Sequence, residues 1–172
     1  IKIIQQRSNF VEHMNTHLQD LFIELSGRSE KLTLVYKPSL NSTDLDEKIC
    51  LLKLEKSLPR DLQYGFAVLG PHRDEYHLMI DEKKDKEFFS QGEFRITNLS
   101  LKMTINRLLF ERYKFHPVLI FDDLFSELDE EVIQQVLQYF IKLKNQIFIT
   151  STSEPSSSLP GKNFHIEKGQ LV

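Results

Sequence analysis

The apolar positions of residues 1–26 recur with helical spacing: Ile3, Ile4, Phe10, Val11, Met14, Leu18, Leu21, Phe22 and Leu25 share one broad face. Gly27 stands where a glycine commonly ends a helix. Residues 31–36 (KLTLVY) are rich in β formers and stop short of Pro38, which predicts a strand. Asn41, Ser42, Thr43 and Asp44 offer caps for a second helix reaching Ser57, with Asp46 and Glu47 in its first turn. Pro59 is expected to interrupt it, leaving residues 60–64 as one more turn. Residues 76–81 (YHLMID) predict a strand, and the charged run 81–87 a solvated hairpin tip. A long helix follows Ser90, with Ile96, Leu99, Met103 and the Leu108-Leu109-Phe110 cluster expected on its buried side. Residues 118–121 (VLIF), behind Pro117, read as a strand buried on both faces. An amphipathic helix over 130–144 comes next, then a short strand at 146–150 ending in the hydroxyls of Thr150, Ser151 and Thr152. Residues 154–162 are loop by composition, and 163–166 and 170–172 predict two last short strands around Gly169.

Composition narrows the class. Forty per cent hydrophobic and 27% charged residues are the balance of a globular chain with one real core. Net charge is −3, so any contact with nucleic acid has to come from a local patch. Cys50 is the single cysteine, which excludes an internal disulfide framework and fits a reducing compartment. No apolar run reaches membrane-span length and no signal peptide is visible, so no membrane is expected and a cytoplasmic location is. The chain opens on Ile1, already inside a helical pattern, as the continuation of something. No repeat or long linker divides it. One domain is expected, with a mainly helical region over 1–64 and the chemistry within 65–172.

The candidate chemistry centres on Asp122 and Asp123, which end the 118–121 strand at the edge where open α/β sheets place their ligands. Neighbouring carboxylates there are costly unless something neutralises one, and a divalent metal does so. This is the form of a Walker B strand: Asp122 would hold Mg²⁺, and Asp123 would orient or deprotonate a water. The plain alternative is a strand ending in a solvated acidic turn. Ser90-Gln91-Gly92-Glu93 opens a helix, where small residues let backbone N–H groups approach an anion; alone it could be a common N-cap. Ser126-Glu127-Leu128-Asp129 follows the carboxylates and could likewise be only a helix cap.

In this order the three pieces resemble the second half of an ABC-type ATPase head: signature motif, Walker B and D-loop. The wording GPHRDE, SQGEFR, LIFDDLFSELD and IFITST goes further and resembles RecF, a family of bacterial recombination mediators related to SMC heads. The resemblance spans nearly the whole chain. It implies an α/β fold, the C-terminal part of a P-loop NTPase with a mixed sheet flanked by helices. It implies nucleotide contacts from Ser90, Gln91, Gly92, Ser126, Asp129 and Thr150, metal at Asp122 and catalysis at Asp123, with ATP and Mg²⁺ as cofactors. Thr150 stands in the region of the ABC switch histidine. It further implies an ATP-dependent homodimer, DNA binding at single-strand/double-strand junctions, RecO and RecR as partners, and RecA loading in repair, replication and the SOS response. Two departures stand out. No GxxxxGK[ST] occurs, the nearest being Gly27-Arg28-Ser29-Glu30-Lys31 and Gly161-Lys162-Asn163, so the chain reads as the C-terminal half. Glu93 replaces the usual glutamine, and a carboxylate there would repel a γ-phosphate unless it points away.

Other readings stay open. One is a non-catalytic P-loop-like interaction module; another, a metal-dependent phosphoesterase, wants further ligands that the sequence does not offer. His72-Arg73-Asp74 is not a kinase catalytic loop, because Met79 stands where its asparagine belongs; it reads as a turn in which Arg73 pairs with a carboxylate. The histidines lack ligand spacing, so no zinc site is assigned. Lys83, Lys84 and Lys86 read as a solvated tip or a phosphate contact. In related sheets the phosphate-loop strand lies between the counterparts of 146–150 and 163–166, so these two segments are expected not to pair. Apolar surface is expected to be exposed beside them. Without a phosphate loop, the 172-residue chain alone should not turn over ATP. Phosphate release by the purified chain that Asp122→Asn abolishes would overturn this.

Overall fold

Helix α1 spans Lys2–Ser26 in the computed structural model, which describes residues 1–40, 45–84, 89–152 and 160–171. Ile4, Val11, Met14, Leu18, Leu21, Phe22 and Leu25 form its buried stripe, while Ile3 and Phe10, expected on the same face, are exposed at its edge. Gly27 ends it in the left-handed region (φ 66°), with its N–H bonded to the Ile23 carbonyl. Strand β1 (Leu32–Lys37) pairs antiparallel with β2 (Glu75–Ile80), which pairs with β3 (Lys83–Lys84). The order β1-β2-β3 leaves β1 at an edge, and α1 covers that edge with side-chain amides. Asn15 accepts from the Leu34 N–H at 2.9 Å and donates to the Leu34 carbonyl at 2.8 Å. One turn later Gln19 accepts from the Leu32 N–H at 2.6 Å and donates to the Glu30 carbonyl at 3.1 Å. Backbone groups that could otherwise recruit another strand are thereby satisfied.

Helix α2 (Glu47–Tyr64) departs from expectation twice. Asp46 is its N-cap, accepting from the N–H groups of Lys48 and Ile49; the candidates Asn41 to Asp44 lie outside the described residues. Pro59 sits inside the helix without ending it. It lacks the N–H that would reach the Glu55 carbonyl, but both residues are exposed and water can take that bond. Ser57 is the one buried residue of α2, and Leu62 is 75% exposed.

Helix α3 (Gln91–Tyr113) packs on α1 and buries Ile96, Thr97, Leu99, Ser100, Met103, Thr104 and Asn106. The hydroxyls of Ser100 and Thr104 each donate to the carbonyl four residues back at 2.8 Å, so small polar side chains are buried without an unmet bond. The Leu108-Leu109-Phe110 cluster does not share the buried side. Leu108 is half-buried against the core and Phe110 is exposed, because three successive residues sweep about 200° of a helix.

Strand β4 (Leu119–Phe121) pairs in parallel with β5 (Ile147–Ile149), joined through helix α4 (Glu130–Lys142). Phe121 is buried and stacks on Phe140 at 5.0 Å. The strand is not buried on both faces, however: Val118 is 54% and Ile120 is 73% exposed, and Phe148 on β5 is also exposed. The core covers the Phe121 side, and no described element covers the other. Strands β6 (Ile166–Glu167) and β7 (Gln170–Leu171) form a separate hairpin, so 146–150 and 163–166 do not pair, as expected. The fold is α/β with helices flanking the strands, as expected, but among the described residues the parallel pair and the antiparallel strands lie in separate sheets, not one mixed sheet.

A buried charge fixes the other end of α1. The Asp74 side chain is wholly buried and accepts from Arg7 at 2.6 Å, Tyr36 at 2.5 Å and the Ser39 N–H at 2.9 Å. Arg7 also donates to the Pro71 carbonyl. Burial works to raise the Asp74 carboxyl, but the bonds from Tyr36, Ser39 and Arg7 outweigh it and hold it below the usual range. Burial, with the Asp74 carboxylate, pushes the Tyr36 hydroxyl up to about 12. The expected Arg73–carboxylate pair is therefore absent among the described residues, since the Asp74 oxygens are already taken. Arg73 Nε instead donates to the Ala67 carbonyl at 3.2 Å, and its guanidinium stands 4.5 Å over the Phe66 ring. Asp74→Asn should cost about 1–3 kcal/mol at pH 7. Because the folded pKa lies below the unfolded one, the charge stabilises fully above the ordinary carboxyl range and is lost as pH falls through the folded value. Urea midpoints of the two proteins should therefore begin to approach one another only below about pH 4 and meet once pH has fallen past the lowered folded value. A gap that persists there would place the effect in packing, not charge.

Candidate functional site

Strand β4 carries Asp122 and Asp123 out beside the end of β5, where Thr150 joins them. The Thr150 hydroxyl donates to Asp122 Oδ1 at 2.5 Å and accepts from the Asp123 N–H at 2.9 Å. The Thr150 N–H bonds the Phe121 carbonyl at 2.9 Å, extending the parallel ladder to this point. Asp123 turns into the left-handed region (φ 48°), as does Glu127 (φ 64°), a conformation that strains a residue with a Cβ. Asp123 Oδ1 is buried and receives no hydrogen bond. A buried carboxylate oxygen without a donor is costly, and a cation or a bound water relieves it.

Helix α3 begins against this turn. Ser90 is its N-cap within a full capping box: Ser90 Oγ accepts from the Glu93 N–H at 3.2 Å, and Glu93 Oε2 accepts from the Ser90 N–H at 2.8 Å. The other Glu93 oxygen meets Arg28 at 2.7 Å, and Arg28 also holds Glu30. The Ser90 N–H, and after it Arg28, hold the Glu93 carboxyl below its usual range despite partial burial. The carboxylate that departs from the family wording is thus folded back on its own helix start.

Three contacts lock α3 to the turn after β4. A Cβ on Gly92 would lie 2.9 Å from the Glu127 carbonyl oxygen, so only glycine permits this approach. The Gln91 amide, oriented with its nitrogen toward Glu127, donates to that carboxylate at 2.5 and 3.0 Å. Arg95 donates to the Asp123 carbonyl at 2.7 Å and to Glu127 at 3.1 Å. Between the helix start and the turn opens a cleft of about 560 Å³, lined by Ser90, Gln91, Arg95, Asp122 and Glu127 with Phe89 and Phe94. Ser126 and Asp129 stand outside its lining. Ser126 Oγ lies 3.5 Å from the Asp123 carbonyl, and Asp129 begins α4 without a side-chain cap bond. Arg28, Arg95 and Glu127 escape a sequence reading, since no spacing brings residue 28 to 93 or 95 to 127.

Among the described residues no group of three or more His, Cys, Asp or Glu could enclose a metal. The donor set fits Mg²⁺ nonetheless, because that ion keeps several waters and takes one or two carboxylates plus phosphate oxygens. Asp122 supplies such a carboxylate, and the Asp123 oxygen without a donor beside it can accept from a bound water.

No protein-family model matches the chain. It is 32% identical over 180 residues to the DNA replication and repair protein RecF of Lactobacillus johnsonii, covering 99% of this chain and 48% of that protein. It is 38% identical over 157 residues to RecF of Ruminiclostridium cellulolyticum, covering 88% of this chain and 42% of that protein. The chain therefore spans about half the length of the curated relatives it matches. A solved structure of the recombination mediator protein RecF with ATP superposes with a TM-score of 0.77 at 30% identity, covering 99% of this chain and 46% of that one. An SMC ATPase structure shares the fold, with a TM-score of 0.58 at 14% identity.

Two substitutions test the lock. Gly92→Ala should destabilise the protein by about 1–3 kcal/mol through overpacking, although helix propensity alone predicts a gain of up to about 1 kcal/mol; the sign of the shift in denaturation midpoint decides. Arg95→Ala should free the Asp123–Glu127 turn, seen as faster amide exchange at Leu124 and Leu128. Unaltered exchange there would show that Arg95 does not hold the turn.

Proposed function

Because this chain belongs to the RecF family, corresponding to the C-terminal half of its members, we propose that it supplies the signature and Walker B side of an ATP-binding head in a DNA replication and repair protein. The observation that carries this reading is the seating of Gln91 and Gly92 against Glu127 in the turn that begins with Asp122 and Asp123, with Ser90 and Asp122 lining one cleft. One helix start and one carboxylate pair then act as a single rigid edge.

Asp122 would hold Mg²⁺, which when bound neutralises charge on the β- and γ-phosphate oxygens. Thr150 keeps the Asp122 carboxylate turned toward its place by donating to one oxygen and leaving the other free to accept. Asp123 orients the attacking water and takes its proton. Ser90, Gln91 and Gly92 meet the γ-phosphate of ATP bound on a second copy, with the N–H groups at the start of α3 as donors. Glu93, held by the Ser90 N–H and by Arg28, stays clear of that phosphate. Ser126 and Asp129, in the segment after the carboxylates, face the second copy. ATP thus closes a homodimer that binds DNA at single-strand gaps and, with RecO and RecR, loads RecA.

The test uses a full-length RecF protein carrying this sequence. Ser90→Arg should abolish ATP-driven dimerisation in analytical ultracentrifugation while leaving ATP binding within about threefold. Asp122→Asn should remove the Mg²⁺ dependence of nucleotide binding in calorimetry. Dimerisation by the Ser90 variant equal to that of the parent would remove the signature from this role.

A further inference from the structure

The net charge of −3 leaves nucleic acid to a local patch, and α2 presents one. Lys53, Lys56, Arg60 and Tyr64 stand at i, i+3, i+7 and i+11, so they share one face of the helix. Lys53, Lys56 and Arg60 line an open groove with Ser57, Val68 and Leu69. Asp61 ties the groove's far wall to the helix by accepting from the Val68 N–H at 2.9 Å, and it also accepts from Ser57 at 3.2 Å. Past the end of α2, Tyr64 stacks on Phe66 at 5.8 Å, and Arg73 covers the Phe66 ring from the adjoining turn. Tyr64 is 56% and Phe66 52% exposed.

The cations here differ from four arginines elsewhere among the described residues. Arg7, Arg28, Arg95 and Arg107 each have a carboxylate partner. Lys56, Arg60 and Arg73 are exposed and have none among the described residues. Unpaired cations at helical spacing, ending in an exposed stacked aromatic pair, complement a phosphodiester chain with an unstacked base. A rigid duplex offers its phosphates but no free base face.

We propose that the Lys56, Arg60 and Tyr64 face of α2, with Phe66 and Arg73 at its end, binds a single strand of nucleic acid. Phosphates track along the cations, and a base stacks on Tyr64. This gives the DNA-binding reading above a definite surface, remote in sequence from the Asp122–Asp123 turn, and it rests on that reading.

The experiment measures anisotropy of a fluorescein-labelled 30-nucleotide oligo-dT and of a duplex of the same length, with the full-length protein across a salt series. Lys56→Gln/Arg60→Gln should weaken oligo-dT binding at least about tenfold and reduce the slope of log K against log salt by about 1.4, two contacts at roughly 0.7 each. Tyr64→Ala should weaken oligo-dT at least about fivefold, the low end of base stacking, and leave the duplex unchanged. Lys144→Gln, at an exposed lysine between α4 and β5, should change neither. All four positions are exposed, so the variants should fold, and equal ATP affinity and thermal midpoints check that they do. Oligo-dT binding within twofold of the parent with an unchanged salt slope would overturn the surface while leaving the head assignment standing. Loss of self-association without loss of DNA binding would overturn it in favour of a protein contact. A parent protein that binds neither probe would defeat the DNA-binding reading itself.

Discussion

Burial of one long helix is the constraint on which the rest of this structure depends. The stripe from Val11 to Leu25 on α1 makes a common core with β1, β2, α3, β4 and α4. Hydrophobic contact is non-directional and could not by itself set the sheet against the helix at one register. The amides of Asn15 and Gln19 do that, because each reaches particular backbone groups of the β1 edge. Two arginines then extend the hold to segments far along the chain. Arg7 reaches the buried Asp74, and Arg28 reaches Glu93 at the start of α3.

The same helix therefore bears on the candidate site without lying in it. Arg28 steadies the capping box that presents Ser90, and α3 packs along α1, so the helix start has little freedom. That start is pressed onto the turn after β4 at Gly92, Gln91 and Arg95. The turn is strained at Asp123 and Glu127, and strain of this kind persists only where surroundings over-determine it. Thr150 on one side and Arg95 on the other supply those surroundings. The turn that carries the carboxylate pair is held by hydrogen bonds from Thr150 and Arg95, which belong to separate parts of the chain, as preorganisation of a charged site demands.

The open face of β4 and β5 is the energetic counterpart. Val118, Ile120 and Phe148 together leave in water apolar area that a two-sided strand would bury, at about 25 cal/mol per Å². Helix α2 adds Leu51, Leu52, Leu58 and Leu62 on its outward side. Exposed stripes of this kind mark contact surfaces rather than free solvent boundary. They suit a chain that matches about half the length of its relatives.

Local pattern was enough to read most elements. The 3.6-residue rhythm of α1 and α4, the glycine after α1 and the β formers of β1 and β2 each depend on neighbours within a turn or two. The placement of the motif residues was legible for the same reason: Asp122-Asp123 and Ser90-Gln91-Gly92 are contiguous, and they stand at a strand end and a helix start. Pro59 misled because the exposure of the Glu55 carbonyl, not the proline itself, decides whether a helix survives it. The face of Leu108 to Phe110 follows from where the α1 stripe lies, and the half-open burial of β4 from what covers it. Arg73 lost its expected partner because α1 brought Arg7 to Asp74 across 67 positions of chain. The contacts of Arg95 with Asp123 and of Gly92 with Glu127 are likewise long-range. Propensity and periodicity act over a few residues, whereas the choice of partner among several compatible charges, and of the face left open, is made only when distant segments pack together.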